Sequence, residues 1–250
     1  MNFRKFNTFI FDLDGTVWNW VHLFPGVDRV LNRLRKEDKQ VIFLTNNTLF
    51  SRKGLLQKIH YFGLEAKLDE VIHPGLVACE FFKEKRGKLM VFSDGLKEDL
   101  KEAGIKVSHR LPVKYLLIGH DPKFDYKELT VATEALNKGA EFYSAATGRF
   151  FVWGNQMIPG TGAIVEVIEY ESGKKSILLG KPSSFMNEMI KLFVESPRNK
   201  TVLIGDELLT DIITGKQLGY STVLVKTGVD KKVGKIKPNL VLNSAADIRL

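Results

Sequence analysis

The sequence predicts an α/β protein: a Rossmann-like core with a largely parallel sheet, interrupted by a smaller inserted α/β domain. Three observations carry this. Short apolar runs alternate with segments of helical apolar spacing along most of the chain. The middle of the chain has strands and helices of its own. Polar, chemistry-bearing residues recur directly after apolar runs near both ends of the sequence, where open parallel sheets bind their ligands.

Taken in order, the first strand is Thr8 to Phe11, ended by Asp12-Leu13-Asp14-Gly15-Thr16. Val27, Val30, Leu31 and Leu34 share one helical face, the strand Val41 to Leu44 follows, and Leu55, Leu56, Ile59 and Phe62 make the next face. Strands are expected near Leu89 to Phe92, Tyr115 to Ile118 and Glu141 to Tyr143, with helices at Leu96 to Ala103 and Tyr126 to Asn137. Pro159-Gly160-Thr161-Gly162 opens a further helix at Ala163, its N-terminus suited to an anion. Phe185, Met189, Ile190 and Phe193 form another face, and strands Thr201 to Ile204, Thr222 to Val225 and Asn239 to Leu242 complete the pattern. The expected division is a core of residues 1–76 and 180–250 and an inserted domain of 77–179, joined near Pro74-Gly75 and Gly180-Lys181-Pro182. Such a layout suits a hinged cover over a site on the core.

With 250 residues, 44% hydrophobic and 26% charged, the chain can bury a core and has the composition of a globular protein. No apolar run reaches the length of a membrane span, and Asn2-Phe3-Arg4-Lys5-Phe6 leads into a strand rather than a secretory signal, so a cytoplasmic location is expected. The single cysteine, Cys79, excludes an internal disulfide and a cysteine-based zinc site. A net charge of +8 suits either nucleic acid or a small anionic substrate. Lys231, Lys232, Lys235 and Lys237 lack interleaved aromatics and read as a solvated loop, so no nucleic-acid partner is expected. The five histidines show no metal-site spacing.

Four polar groups follow apolar runs: Asp12 and Asp14 after Phe11, Thr45-Asn46-Asn47 after Leu44, Gly180-Lys181-Pro182 after Leu179, and Gly205-Asp206 after Ile204 with Thr210 and Asp211 beyond. Alone, each is also a common turn, cap or surface residue. Together they are complementary. Acidic residues can hold a hard cation such as Mg²⁺, a lysine can offset phosphate charge, and a Thr-Asn turn can hydrogen-bond phosphoryl oxygens.

In this order, with Phe24-Pro25-Gly26 and Pro159-Gly160-Thr161-Gly162-Ala163 between them, these motifs resemble the haloacid dehalogenase superfamily, and within it the NagD-like, 4-nitrophenylphosphatase-type branch of capped phosphatases. The resemblance implies a Mg²⁺-dependent phosphatase acting on a small phosphorylated metabolite, with neither nucleic acid nor membrane as partner and a homo-oligomer left open. Carried over by residue, it makes Asp12 the nucleophile and Asp14 the general acid and base. Thr45, Asn46 and Lys181 would bind the phosphoryl group. The Asp12 carboxylate, the Asp14 backbone carbonyl and Asp206 would hold the metal, with Asp211 in support. A transferase or mutase using the same aspartyl-phosphate, and a non-catalytic binding module, are the competing readings.

The chain departs from the branch in one place. An Asn-x-Asp element common in the cap corresponds to Phe142 to Arg149 here, with Gly148 where the Asp would stand and Arg149 beside it. Gly148 and Arg149 are therefore the candidate specificity positions, Arg149 suiting an anionic or aromatic leaving group or else lying solvated. Trp18, Trp20, Phe150, Phe151 and Trp153 are expected to serve packing before recognition.

Overall fold

A computed structural model describes residues 1–154 and 156–250. In chain order, the first part holds β1 (Thr8–Phe11), α1 (Val27–Lys36), β2 (Gln40–Leu44), α2 (Arg52–Tyr61), β3 (Val71–Ile72) and α3 (Pro74–Phe82). The middle holds β4 (Leu89–Phe92), α4 (Asp94–Glu102), β5 (Tyr115–Ile118), α5 (Tyr126–Asn137), β6 (Glu141–Ser144), β7 (Phe150–Trp153), β8 (Gln156–Pro159), α6 (Thr161–Ser172) and β9 (Ile177–Leu178). The last part holds α7 (Ser184–Phe193), β10 (Thr201–Gly205), α8 (Ile213–Leu218), β11 (Ser221–Val225) and β12 (Leu240–Leu242).

Six strands form one parallel sheet in the order β12-β11-β10-β1-β2-β3, and four form a second parallel sheet in the order β4-β5-β6-β9. β1 lies between β10 and β2, with Phe11 beside Ile204 and Phe43, so the polar residues that follow these strands emerge along one sheet edge. All four residues of β1 are buried, the pattern of a strand covered on both faces. β7 and β8 form an antiparallel hairpin apart from both sheets.

Local sequence chemistry sets several helix starts. Ser51 and Ser183 cap α2 and α7 by accepting the Gly54 and Met186 N–H groups, and Asp125 with Glu128 forms a capping box on α5. α1 buries Val27, Val30, Leu31 and Leu34, the expected face. α7 differs: Phe185 is exposed, and Met186 takes its place beside Met189 and Ile190. The helix opened by Pro159-Gly160 begins at Thr161, two residues earlier than expected, and β12 begins at Leu240. The two-residue strands β3 and β9 are too short to show any alternation, so they are set by pairing alone.

Pro74 and Gly75, near the expected joint, form the first turn of α3. One apolar cluster joins Ile10, Ile42, Leu44 and Leu203 of the first sheet with Leu89, Val91, Leu117 and Tyr143 of the second. Buried polar groups tie the same junction. His73 accepts the Leu76 N–H through Nδ1, which leaves Nε2 as the donor to Asp99 Oδ2 at 2.8 Å, and Asp99 Oδ1 accepts the Arg52 N–H at 2.9 Å. The region of the expected joint is packed and hydrogen-bonded. No helix among the described residues is long and apolar enough to cross a membrane.

Candidate active site

Asp12 continues the ladder of β1, its N–H donating to Ile204 O at 2.9 Å. Its carboxylate therefore stands at the sheet edge, buried beside the residues that follow β10 and β2. Lys181 is 2% exposed, and its Nζ donates to Asp12 Oδ1 and to Asp211 Oδ1, each at 2.7 Å. Asp211 Oδ2 accepts the N–H groups of Asp206 and Glu207, both at 3.1 Å, so this one side chain orders the turn after β10 and orients the lysine. Asp206 Oδ2 accepts the Val229 N–H at 2.6 Å. Backbone packs so tightly here that a Cβ on Gly15, at φ +91°, would fall 2.4 Å from Asp206 Oδ2, and one on Gly228 1.8 Å from it.

The Thr45-Asn46-Asn47 turn divides its work. Asn46 accepts the Lys181 N–H at 2.8 Å and donates to the Lys181 carbonyl at 3.0 Å, holding the backbone of the lysine. Its Oδ1 and one Nδ2–H are engaged with the lysine backbone, and the residue lines the cavity. Thr45 is buried and its Oγ1 accepts the Asn47 N–H at 3.0 Å. Two partners of Asp14 escaped sequence reasoning. Trp18 Nε1 donates to Asp14 Oδ1 at 2.6 Å, and Asn47 Nδ2 to Asp14 Oδ2 at 2.9 Å. Asn47 lies inside the Thr45-Asn46-Asn47 motif and Trp18 two residues beyond Thr16, but nothing in their spacing says that they converge on one carboxylate.

Burial dominates the electrostatics. It pushes the Asp12 carboxyl up to about 8; Lys181 opposes this, and Asp211 and Asp14 add to it. Burial, then Asp12 and Asp211, hold Asp206 well above the usual carboxylate range, and burial with Asp211 pushes Glu207 up to about 7. Asp14 is raised by burial against the bonds from Asn47 and Trp18. Burial works against the Lys181 ammonium, but Asp12 and Asp211 outweigh it and keep the lysine protonated. The protein alone leaves the cluster short of positive charge.

The donor set fits a hard divalent cation. Carboxylate oxygens of Asp12, Asp206 and Asp211 lie within 4.8 Å of one another, and the buried Asp12 Oδ2 has no hydrogen-bond partner among the described residues. An orphaned anionic oxygen amid raised acids is the environment a bound cation relieves. The Asp14 side chain stands outside this trio, since its oxygens go to Trp18 and Asn47.

Above the carboxylates lies a cavity. Asp12, Asp14, Thr45, Lys181, Asp206 and Asp211 line its core side, and Gly148, Phe150, Phe151 and Thr161 line its other side from the region of the second sheet. Gly148 lies at this wall. Arg149, just before β7, is exposed and does not line the cavity. Gly160 and Thr161 bring the start of α6 to the cavity, but the Gly162 N–H is already given to the Gly148 carbonyl.

The chain is similar in sequence and fold to known proteins. Residues 9–106 match the family described as haloacid dehalogenase-like hydrolase, and residues 178–248 match the one described as HAD-hydrolase-like. Acid sugar phosphatase of Staphylococcus haemolyticus is 28% identical over 229 residues, 90% of this chain and 87% of the relative. Chronophin of Mus musculus is 29% identical over 239 residues, 88% of this chain and 80% of the relative. Among solved structures, a p-nitrophenyl phosphatase from Archaeoglobus fulgidus superimposes with a TM-score of 0.86 at 28% identity, covering 96% of this chain and 97% of the other. The two matched stretches carry the strands whose ends bear Asp12, Asp206 and Asp211, so sequence and fold agree on the same edge: the chain belongs to the haloacid dehalogenase-like hydrolases.

Proposed function

We propose that the protein is a Mg²⁺-dependent phosphatase that hydrolyses a small phosphomonoester through an aspartyl-phosphate on Asp12. The observation that carries this reading is the buried Asp12 carboxylate, bound on one oxygen by Lys181 and, among the described residues, unpartnered on the other, facing a cavity. The phosphatase names of the relatives support it.

Asp12 attacks phosphorus, and the bond to the leaving oxygen breaks. Asp14, raised by burial and steered by Trp18 and Asn47, gives its proton to that oxygen. It then takes a proton from water, which attacks the aspartyl-phosphate, releases inorganic phosphate and restores the Asp12 carboxylate. Lys181 sets a fixed positive charge beside the transferring group, and Asp211 holds it there. Asp12 and Asp206, with the Asp14 backbone carbonyl, would hold Mg²⁺, which when bound supplies positive charge against the phosphate dianion. The substrate is a small phosphorylated metabolite whose alcohol portion occupies the far side of the cavity.

The test is phosphate release from a panel of aryl, sugar, nucleotide and carboxylate phosphates, in Mg²⁺ and in EDTA, by wild type and Asp12→Asn. Mg²⁺-dependent release abolished in Asp12→Asn is expected. Release that persists in the variant removes Asp12 from the mechanism, and no release by folded wild type from any ester removes the phosphatase reading.

A further inference from the structure

Trp20 carries two local penalties at once. It adopts φ +72°, a conformation that bulky residues rarely hold, and its indole N–H is buried without a hydrogen-bond partner among the described residues. Such features persist only where surrounding packing imposes them, and they gather at functional sites. Here the packing comes from both sides of the cavity. From the core, Phe50 stacks on Trp20 at 5.7 Å and the Lys58 ammonium lies 3.8 Å from its ring centre. From the hairpin, Trp153 stacks on it at 4.7 Å and Phe151 packs at 5.5 Å. The Gly154 N–H, at the hairpin tip, donates to Asn19 O at 3.0 Å, so the loop that bears Trp20 and the hairpin are also joined through backbone.

Trp20, Phe150 and Phe151 line the same cavity as the carboxylates, with Ala146 and His120. His120 packs edge-on against Phe151 at 4.9 Å, and burial lowers it below the usual histidine range against the opposing pull of Asp121 and Asp14. The cavity therefore has a charged floor and a largely apolar, aromatic wall. A wall of this kind accepts a flat or apolar alcohol but leaves the hydroxyls of a sugar unpaired.

We infer that Trp20 is a specificity-determining residue, locked between core and hairpin so that it and Phe151 form an aromatic wall that selects flat, apolar leaving groups over polyhydroxylated ones. The inference rests on the phosphatase reading above and deepens it. It differs from the expectation placed on Arg149, which lies outside the cavity.

The experiment compares kcat/KM for phenyl phosphate and glucose 6-phosphate in wild type, Trp20→Gly, Trp20→Phe and Phe151→Leu. Glycine suits the left-handed backbone and deletes the wall. The ratio of phenyl to glucose ester is expected to fall about tenfold in Trp20→Gly, the size of one aromatic contact, and mainly through KM for the phenyl ester. Trp20→Phe should recover most of the ratio. Phe151→Leu, which weakens the wall from the other side without touching the strained loop, should lower it in the same direction even if Trp20→Gly fails to fold. Ratios within twofold of wild type in Trp20→Gly, or in Phe151→Leu where the former does not fold, overturn the wall while leaving the phosphatase reading intact. A wild type that prefers glucose 6-phosphate overturns it as well. No phosphate release from either ester, nor from any other, overturns both.

Discussion

Replacing Lys181 with Met isolates the charge balance of the site, because Met keeps the length of the apolar stem and deletes only the ammonium. That ammonium is 2% exposed and bonded at 2.7 Å to both Asp12 Oδ1 and Asp211 Oδ1. Removing one partner of a buried ion pair costs about 3–5 kcal/mol, since it strands the other partner. At about 2–4 °C per kcal/mol for a chain of this size, the melting temperature should fall by roughly 6–20 °C. Asp12→Asn should act with the opposite sign. It removes one of three crowded carboxylates, relieving Asp206, while its side-chain oxygen still accepts from Lys181. Its stability should equal or exceed that of wild type although its activity is lost, the usual relation between a strained site and its function. A carboxyl raised in the folded state adds stability below its unfolded pKa and loses it as pH rises through the folded one. For Asp12, raised from 3.8 to about 8, that window runs across neutral pH, so wild type in EDTA should lose stability between these values and Asp12→Asn should lose less. The assay is thermal and urea unfolding of the three proteins in EDTA, followed by circular dichroism. A Lys181→Met melting temperature within about 2 °C of wild type, or Asp12→Asn destabilised as much as Lys181→Met, would refute the account of Lys181 as the cation that permits this burial.

Asp206→Ala should weaken Mg²⁺ binding at least tenfold by calorimetric titration, and an unchanged affinity would exclude Asp206 from the ligand set. Asp99→Ala strands the Nε2–H of His73 and the Arg52 N–H at the junction of the two sheets, at about 1–3 kcal/mol for each lost acceptor; a urea midpoint equal to that of wild type would show that this network does not hold the junction. Gly148→Asp should fold normally, because a Cβ there meets nothing within 4 Å. The new carboxylate at the cavity wall should lower kcat/KM for leaving groups that carry negative charge relative to neutral ones, and an unaltered ranking would remove residue 148 from specificity.

What the sequence by itself determined is local or ordered along the chain. The buried strand β1 and the apolar face of α1 follow from near neighbours, and the polar groups after each apolar run marked the sheet edge where Asp12, Lys181, Asp206 and Asp211 meet. Only the tertiary structure decided how those groups share their hydrogen bonds. Asn46 holds the backbone of a lysine 135 residues away, Asn47 reaches Asp14 across 33 residues, and Asp211 orients the lysine that neutralises Asp12. It likewise turned Arg149 to solvent, buried Met186 in place of Phe185, and packed the joint between the sheets around His73 and Asp99. Trp20 belongs to the same class. Its left-handed backbone and aromatic partners come from segments that contact only once the hairpin folds against the core. The physical reason is common to all of them: periodicity and capping are satisfied within a few residues, whereas the partner of a buried polar or aromatic side chain is set by which strand ends and loops the sheet order places side by side.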